Sequence, residues 1–185
     1  MTALSTLDEV KKYKGMATSS ADEVLTMLID AASSLVEGHL GYSPLQASYN
    51  EWFNGKNQSV LILPNRPITA ISAVAINGNA IPASTAFQVP GYSFDEIGIY
   101  LRNYTFARGL KNVNVQYTAG YASLIALPAA IKMAVNELVW TKYASREWLG
   151  FRSKSLAGET TTYDTSDMSK TVIGYLNRYR RVVPV

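Results

Sequence analysis

The single histidine, His39, is the side chain best suited to catalysis in a 185-residue chain that contains no cysteine. Without cysteine there is no disulfide, thiolate nucleophile or zinc–thiolate site. One histidine cannot form a multi-histidine metal site, and no nucleophile motif or carboxylate cluster surrounds it in the sequence. His39 therefore fits a position near a helix C-terminus, where the helix dipole favours its charged form, better than a general base or metal ligand.

The carboxylates and glycines also lack an enzymatic pattern. The acidic pairs at 8–9 and 22–23 fall in predicted first helical turns, where capping and the helix dipole explain them. Asp164 and Asp167 lie in a polar segment, and nothing in the sequence brings them together as a catalytic pair. No glycine-rich phosphate loop occurs, and the glycines fall at predicted turns. We expect neither an enzyme nor a bound cofactor or metal.

The C-terminus carries the chain's most distinctive pattern, a basic stretch followed by an apolar one: Arg178, Tyr179, Arg180, Arg181, Val182, Val183, Pro184 and Val185. Arginines beside tyrosines are typical of phosphate contacts with base stacking. An extended apolar end instead suits docking into a groove on a protein. Three arginines give only a weak electrostatic attraction to nucleic acid, so we favour a protein-docking arm. A disordered tail is the third alternative.

The composition favours protein–protein contact. Hydrophobic residues make up 48% and charged residues 17%, and there are 12 tyrosines, which suit half-dry interfaces. Residues 1–50 hold three lysines and six acids, whereas residues 126–185 hold nine basic residues and five acids. An acidic N-terminal part and a basic C-terminal part suit head-to-tail contact between copies, which can close into a ring. Two unrelated solvated faces would give the same distribution.

The order of the predicted elements is helices, strands, helices. Capping boxes at Thr6–Glu9 and Ser20–Glu23 predict a short helix ending near Gly15 and a longer one ending at Gly41. A run of five to seven short strands follows: Tyr49–Phe53 and Ser59–Leu63 as a hairpin around residues 54–57, Ile68–Ile76 ending at an Asn77-Gly78 turn, Phe87–Val89, Ile97–Arg102 and Asn112–Thr118.

The C-terminal third returns to helical spacing. Pro128 predicts the first turn of a helix that continues to about Leu149 and ends at Gly150. Residues 151–168 are rich in Ser, Thr and Gly and predict a mobile loop, and a short helix is expected from Ser169 to Tyr179. The sequence thus predicts an α+β fold with an antiparallel β-subdomain inserted into a helical core. The core has two N-terminal helices (residues 1–47) and one long and one short C-terminal helix (123–185), and the insertion spans 48–122.

No apolar run approaches the length that spans a bilayer, and the first residues lack the basic and apolar regions of a signal peptide. We therefore expect a cytoplasm-like compartment and no membrane partner.

Three kinds of segment resemble the head–tail connector (adaptor) family of tailed bacteriophages and prophages. Residues 7–13, 22–33 and 36–41 look like that family's first two helices. The segments 63–68 and 117–121, followed by Leu127-Pro128, are similarly typical, as is the closing Tyr179-Arg180-Arg181. The resemblance runs over nearly the whole chain. Each motif is made of caps, turns and apolar spacing, and their order carries the specificity.

The resemblance implies a structural protein of the virion neck that assembles in the host cytoplasm. Its subunits would form a ring, commonly of twelve, beneath the portal protein, and a stopper or tail-completion protein would bind the other side. The free protein would be a monomer or a ring, and DNA would pass through the channel without being read. Residues 178–183 would form a portal-docking arm. The alternatives are another neck or tail-completion protein and a nucleic-acid-binding module.

Overall fold

The structure, a computed structural model, describes residues 3–86, 88–146, 153–156, 159–162 and 168–181. It confirms the mixed α+β fold. The chain divides into two compact units, a helical unit made of Met1–Gly41 with Leu127–Arg180 and a β unit that contains Tyr42–Ala126.

The helical unit contains four helices: α1 (Leu7–Lys14), α2 (Asp22–Leu40), α3 (Ala129–Ser145) and α4 (Lys170–Asn177). Helix α3 is apolar on several sides and buries Ile131, Val135 and Leu138 among its neighbours. It packs against each of the other three helices. Burial of these side chains is the main stabilising contribution, because the hydrophobic effect scales with the apolar area removed from water.

For α1 and α2, both predicted C-terminal glycines are confirmed, but only one of the two predicted capping boxes is. Thr6 and Glu9 form the predicted capping box, and Gly15 ends α1 with a left-handed φ of 67°. Gly41 ends α2 in the same way, with φ 79°. The second predicted capping box is wrong, because Ala21 takes the N-cap position and no side chain caps α2. The Asp22 carboxylate instead accepts from Lys11 Nζ at 2.8 Å, which ties the start of α2 to α1.

The C-terminal helices follow the prediction with two differences. Pro128 lies at the N-cap of α3, one residue before the predicted first turn, and the predicted helix end at 148–150 lies outside the described residues. The loop predicted over 151–168 is wrong for two stretches, because β8 (Ser153–Leu156) pairs with β9 (Glu159–Thr162) as an antiparallel ribbon. Threonine in β9 favours a strand, since its branched Cβ suits extended backbone.

The β unit contains seven strands among its described residues: β1 (Ala47–Gly55), β2 (Val60–Ile62), β3 (Ile68–Ile76), β4 (Asn79–Ile81), β5 (Gly91–Phe94), β6 (Gly98–Arg102) and β7 (Gly109–Ala119). They form two antiparallel sheets with strand orders β1-β7-β3-β4 and β2-β6-β5. The inner faces share one core: Leu63, Ile68, Val74, Ile76, Ile81, Tyr92, Ile99, Leu101, Phe106, Val113, Val115, Tyr117 and Ala119.

The predicted hairpin around residues 54–57 is wrong. Strand β1 pairs with β7, and β2 pairs with β6 in the other sheet, so residues 56–59 connect two sheets. The pairing of Gly55 with Gly109 requires a glycine at position 55, because an added Cβ would collide with the Ala107 carbonyl.

The predicted strands from 68 to 76, 97 to 102 and 112 to 118 are confirmed in β3, β6 and β7, and the Asn77-Gly78 turn is confirmed between β3 and β4. Both turn residues have positive φ, which Asn and Gly tolerate best. The predicted strand at Phe87–Val89 is wrong for its described residues, because Gln88 and Val89 lie in a turn and a bend.

Candidate interaction surfaces

The predicted C-terminal arm follows α4, a helix that packs within the helical unit. Ser169 caps α4 by accepting from the Val172 amide at 3.2 Å, and its hydroxyl donates to Glu137 of α3 at 3.3 Å. Val172 and Leu176, one turn apart, are both buried. Helix α4, which precedes the residues predicted to dock, is therefore held in place by packing and by its cap.

The residues predicted to dock follow directly. The Tyr179 amide donates to the Leu176 carbonyl at 2.8 Å and closes the last turn, and the Tyr179 side chain is half-buried. Arg178, Arg180 and Arg181 are exposed. Arg178 and Arg180 thus place two cations at the end of the helical unit, whereas residues 182–183 of the predicted arm lie outside the described residues. Their docking role stays a prediction.

A polar clamp fixes α1 to α3 within the same unit. Lys132 Nζ donates to Glu9 Oε1 at 2.9 Å, Ser5 Oγ donates to Asn136 Oδ1 at 2.7 Å, and Trp140 Nε1 donates to the Val10 carbonyl at 2.8 Å. Partial burial works to raise the pKa of Glu9, but the hydrogen bonds from Lys132 and from the Thr6 amide outweigh it and lower the pKa below its ordinary value. The polar groups of the clamp form hydrogen bonds with one another, so we assign the clamp a structural role.

A second polar cluster, at one end of the β unit, was missed by sequence reasoning. Residues 54–59 and 105–112, which we call the basic tip, are joined by asparagine side chains. Asn112 accepts from the Gly55 amide at 2.9 Å and donates to the Ala107 carbonyl at 2.8 Å. Asn57 accepts from the Arg108 amide, and Asn54 from the Lys111 amide, at 2.8 and 2.7 Å. The sequence signal was present as cations at 56, 108 and 111, but residues 54–57 were interpreted as a hairpin turn.

In the core of the β unit, the Tyr117 hydroxyl is hydrogen-bonded to two other side chains. Tyr117 donates to Glu51 Oε2 at 2.6 Å and accepts from Asn65 Nδ2 at 2.8 Å, and its ring stacks on Tyr49. Burial, together with the bond to Glu51, raises the pKa of Tyr117 far above its ordinary value. The neutral phenol is thus held as a structural donor.

The other residues considered for catalysis or metal binding do not form a site among the described residues. His39 lies in the last turn of α2, as predicted, and its Nε2 is buried without a hydrogen-bond partner among the described residues. Asp164 and Asp167 lie outside those residues. Where the structure describes the chain, no three His, Cys, Asp or Glu side chains cluster to hold a metal. Over the same ranges no helix combines the length and apolar character of a membrane span.

Solved structures with the same fold come from the necks and virions of gene transfer agent (GTA) particles. One chain of the neck of an empty particle, computed with C6 symmetry, is 18% identical with a TM-score of 0.59; the match covers 100% of this chain and 95% of that one. A chain of the native virion is 16% identical (TM-score 0.60, 98% and 92% covered). A chain of the native neck, computed with C12 symmetry, is 16% identical (0.57, 100% and 96%).

No curated protein sequence matches the chain. The sequence profile described as "Head completion protein" matches residues 3–182, nearly the whole chain. This match spans both the helical and the β unit, so it rests on their combination. It confirms the predicted resemblance to phage head–tail connectors and the structural role that goes with it. The chain belongs to the head completion protein family.

Proposed function

We propose that this protein forms a ring of twelve subunits beneath the portal and joins the DNA-filled head to a stopper or tail-completion protein. The observation that carries the proposal is the match of the head completion protein profile to residues 3–182. Necks computed with sixfold and twelvefold symmetry among the solved relatives support the ring. DNA passes through the channel of the ring without sequence-specific contact, and the protein has no enzymatic role.

Residues 178–183 form the arm that docks on the portal. The anchored helix α4 and the exposed arginines that follow it support this assignment. Ordering an arm costs conformational entropy, and the cost is offset when many identical arms bind one ring of sites. The subunits therefore assemble on the portal in the host cytoplasm, and the ring ends in the virion neck.

Deletion of residues 178–185 tests the arm. Because α4 ends at Asn177 and its buried side chains precede the cut, the truncated protein folds with an unchanged thermal unfolding midpoint. It no longer sediments with the portal protein, whereas the full chain does. Retained association of the truncated protein contradicts the arm assignment.

A matched pair of charge reversals separates docking from general electrostatics. Arg178→Glu with Arg181→Glu weakens portal association, whereas Lys14→Glu with Lys170→Glu, two exposed cations of the helical unit, leaves it intact. Equal loss in both variants indicates non-specific charge attraction. If instead the first pair abolishes steeply salt-dependent DNA binding and leaves portal association unchanged, the arm is a nucleic-acid contact.

A further inference from the structure

The basic tip of the β unit is an unusually one-sided surface. Residues 54–59 and 105–112 contain Lys56, Arg108 and Lys111 and no acid. All three cations are exposed, and none forms an ion pair within the described ranges. Gly55 pairs with Gly109, which places Lys56 beside Arg108 on the two neighbouring segments. The tip therefore presents uncompensated positive charge to solvent.

The tip is also rigid. The side chains of Asn57 and Asn54 hold the amides of Arg108 and Lys111, so the backbone that carries both cations is fixed on the β1 end of the sheet. Lys111 itself has a φ of 45°, a conformation that a residue other than glycine adopts only where its surroundings impose it. A surface held in one conformation loses little entropy on binding.

Apolar surface accompanies the charge. The Leu110 side chain is 86% exposed, between Gly109 and Lys111. Residues of the tip also line an open groove of about 670 Å³, together with Val60 and Ile62. Val60 and Ile62 remain 39% and 42% exposed. An apolar patch edged by cations fits a partner with an apolar ridge edged by carboxylates.

Helix α2 of the helical unit carries such a ridge. Glu23, Met27 and Asp30 recur at three- and four-residue spacing and therefore share one face. Met27 is 68% exposed and Val24 on its flank 43%. The helix holds four acids and no Lys or Arg. Glu23 and Asp30 form no ion pair with any described residue. We call these four residues, Glu23, Val24, Met27 and Asp30, the acidic face.

We propose that the basic tip of one copy docks on the acidic face of the next copy. The inference rests on the proposed ring and supplies the contact between its neighbours. Leu110 and the groove take Met27 and Val24, while the cations at 108 and 111 pair with Glu23 and Asp30. Tip and face are different surfaces of the same chain, so the contact is heterologous, the type that closes into rings.

Charge reversal with complementation tests the pairing. The tip variant carries Arg108→Glu and Lys111→Glu, and the face variant carries Glu23→Lys and Asp30→Lys. Each alone lowers the fraction of portal particles that bear a complete ring by at least about tenfold, because like charges then meet. An equimolar mixture of the two variants restores assembly, as does a chain with all four changes. Lys14→Glu with Lys170→Glu serves as the control and assembles normally.

Cross-linking gives a second readout that does not need the portal. Because the chain has no cysteine, Met27→Cys and Leu110→Cys chains can be mixed and treated with a short bismaleimide. The proposal predicts a covalent dimer of the two variants. Met27→Cys mixed with Ile125→Cys, a residue 91% exposed outside the tip, gives at most a tenth of that yield.

The outcomes separate the two proposals. If wild-type protein forms no ring on the portal, the proposed function fails, and the 27–110 cross-link still decides the docking. If rings form but the reversed variants assemble alone as well as wild type, or the cross-link matches its control, the docking is wrong. A tip variant that loses only salt-dependent DNA binding also overturns it, because the tip is then a DNA contact.

Discussion

Glu9 takes part in several interactions at once. Its Oε2 accepts from the Ser5 hydroxyl and the Thr6 amide, each at 3.3 Å, and its Oε1 accepts from Lys132 at 2.9 Å. One carboxylate therefore caps α1, holds the segment before it and ties both to α3. All of these partners are donors, so each of them favours the ionised form.

The first prediction concerns pH. Since the folded pKa of Glu9 lies below its ordinary value of 4.5, its stabilising contribution is present above that value and is lost as the pH falls through the folded pKa. We expect Glu9→Gln to lower the free energy of unfolding at pH 7 and to reduce its decline between about pH 5 and 3. Denaturant titrations followed by circular dichroism at several pH values measure both effects.

The matched control is Glu23→Gln, which removes an exposed acid that has no ion pair among the described residues. This variant keeps the wild-type decline between those pH values. An unchanged decline in Glu9→Gln contradicts the role assigned to the clamp.

Asn112 carries the second residue-scale prediction. Besides its bonds to Gly55 and Ala107, its Nδ2 donates to Asn77 Oδ1 at 3.1 Å, so one amide joins three segments of the β unit. Asn112→Ala should lower the free energy of unfolding by about 2 kcal/mol, since it leaves a part-buried amide and carbonyl unpaired. Asn50→Ala, which removes one exposed bond to Asn114, should cost less than about 1 kcal/mol. If both variants lose the same free energy of unfolding in a denaturant titration, the role assigned to Asn112 in joining these segments is contradicted.

At the scale of elements, two glycines, one in a helix and one at the end of a strand, have opposite roles. Gly38 lies inside α2 on its exposed side, has an ordinary helical backbone, and would place an added Cβ in open space. Gly55, at the end of β1, has no room for a Cβ beside the Ala107 carbonyl. Gly38 therefore lowers helix stability although no packing within the subunit requires a glycine there. Gly55 is required, because the neighbouring backbone leaves no space for a side chain.

This contrast gives a third prediction. Gly38→Ala should raise the free energy of unfolding by about 0.5–1 kcal/mol, because alanine restricts the unfolded chain and favours helix. Gly55→Ala should lower it by several times that amount or prevent folding of the β unit. Thermal and denaturant unfolding of the two variants measures both. A destabilised Gly38→Ala protein indicates that the exposed side of α2 is in contact within the subunit.

Elements that are fixed by nearby residues could be predicted from sequence, and those fixed by distant ones could not. The cap at Thr6 and the stop at Gly41 act within one helical turn, and both were found. Strand β1 pairs with β7, with Tyr49 opposite Tyr117, and no local signal specifies a partner so far along the chain. The turn-like residues at 54–57 therefore favoured a hairpin, although they build the basic tip.

The candidate surfaces show the same division. The basic end of the chain was evident because its cations are consecutive, and the structure adds the buried α4 that anchors them. The basic tip was not evident, since Lys56 and Arg108 become neighbours only through the pairing of Gly55 with Gly109. The apolar exposure of Leu110 and Met27 follows from packing that periodicity does not determine.

At the scale of the whole molecule, the two ends of the β unit lie next to each other. The Gln46 amide donates to the Tyr121 carbonyl at 2.9 Å, and the Tyr121 amide donates to the Pro44 carbonyl at 2.8 Å. Gly120 permits this approach, because its φ of 106° and the Leu45 carbonyl leave no space for a side chain. The β unit also holds its own core.

The fourth prediction is that residues 42–126 fold as a separate fragment, which also tests the predicted insertion at 48–122. A domain with its own core and neighbouring ends does not need the rest of the chain to close its sheets. The fragment should give dispersed amide resonances and a cooperative thermal transition, and the variant Asn112→Ala should lower its midpoint. A fragment without a cooperative transition means that the helices are required for its folding.

The neighbouring ends at Pro44 and Tyr121 have a consequence for how such proteins diversify. Two recombination events, one on either side of the segment, would exchange the whole sheet module between related genomes while the helices keep their sequence. The surface at residues 54–59 and 105–112 would travel with that module as one inherited block. We therefore expect relatives whose helices are nearly identical and whose sheet tips are unrelated.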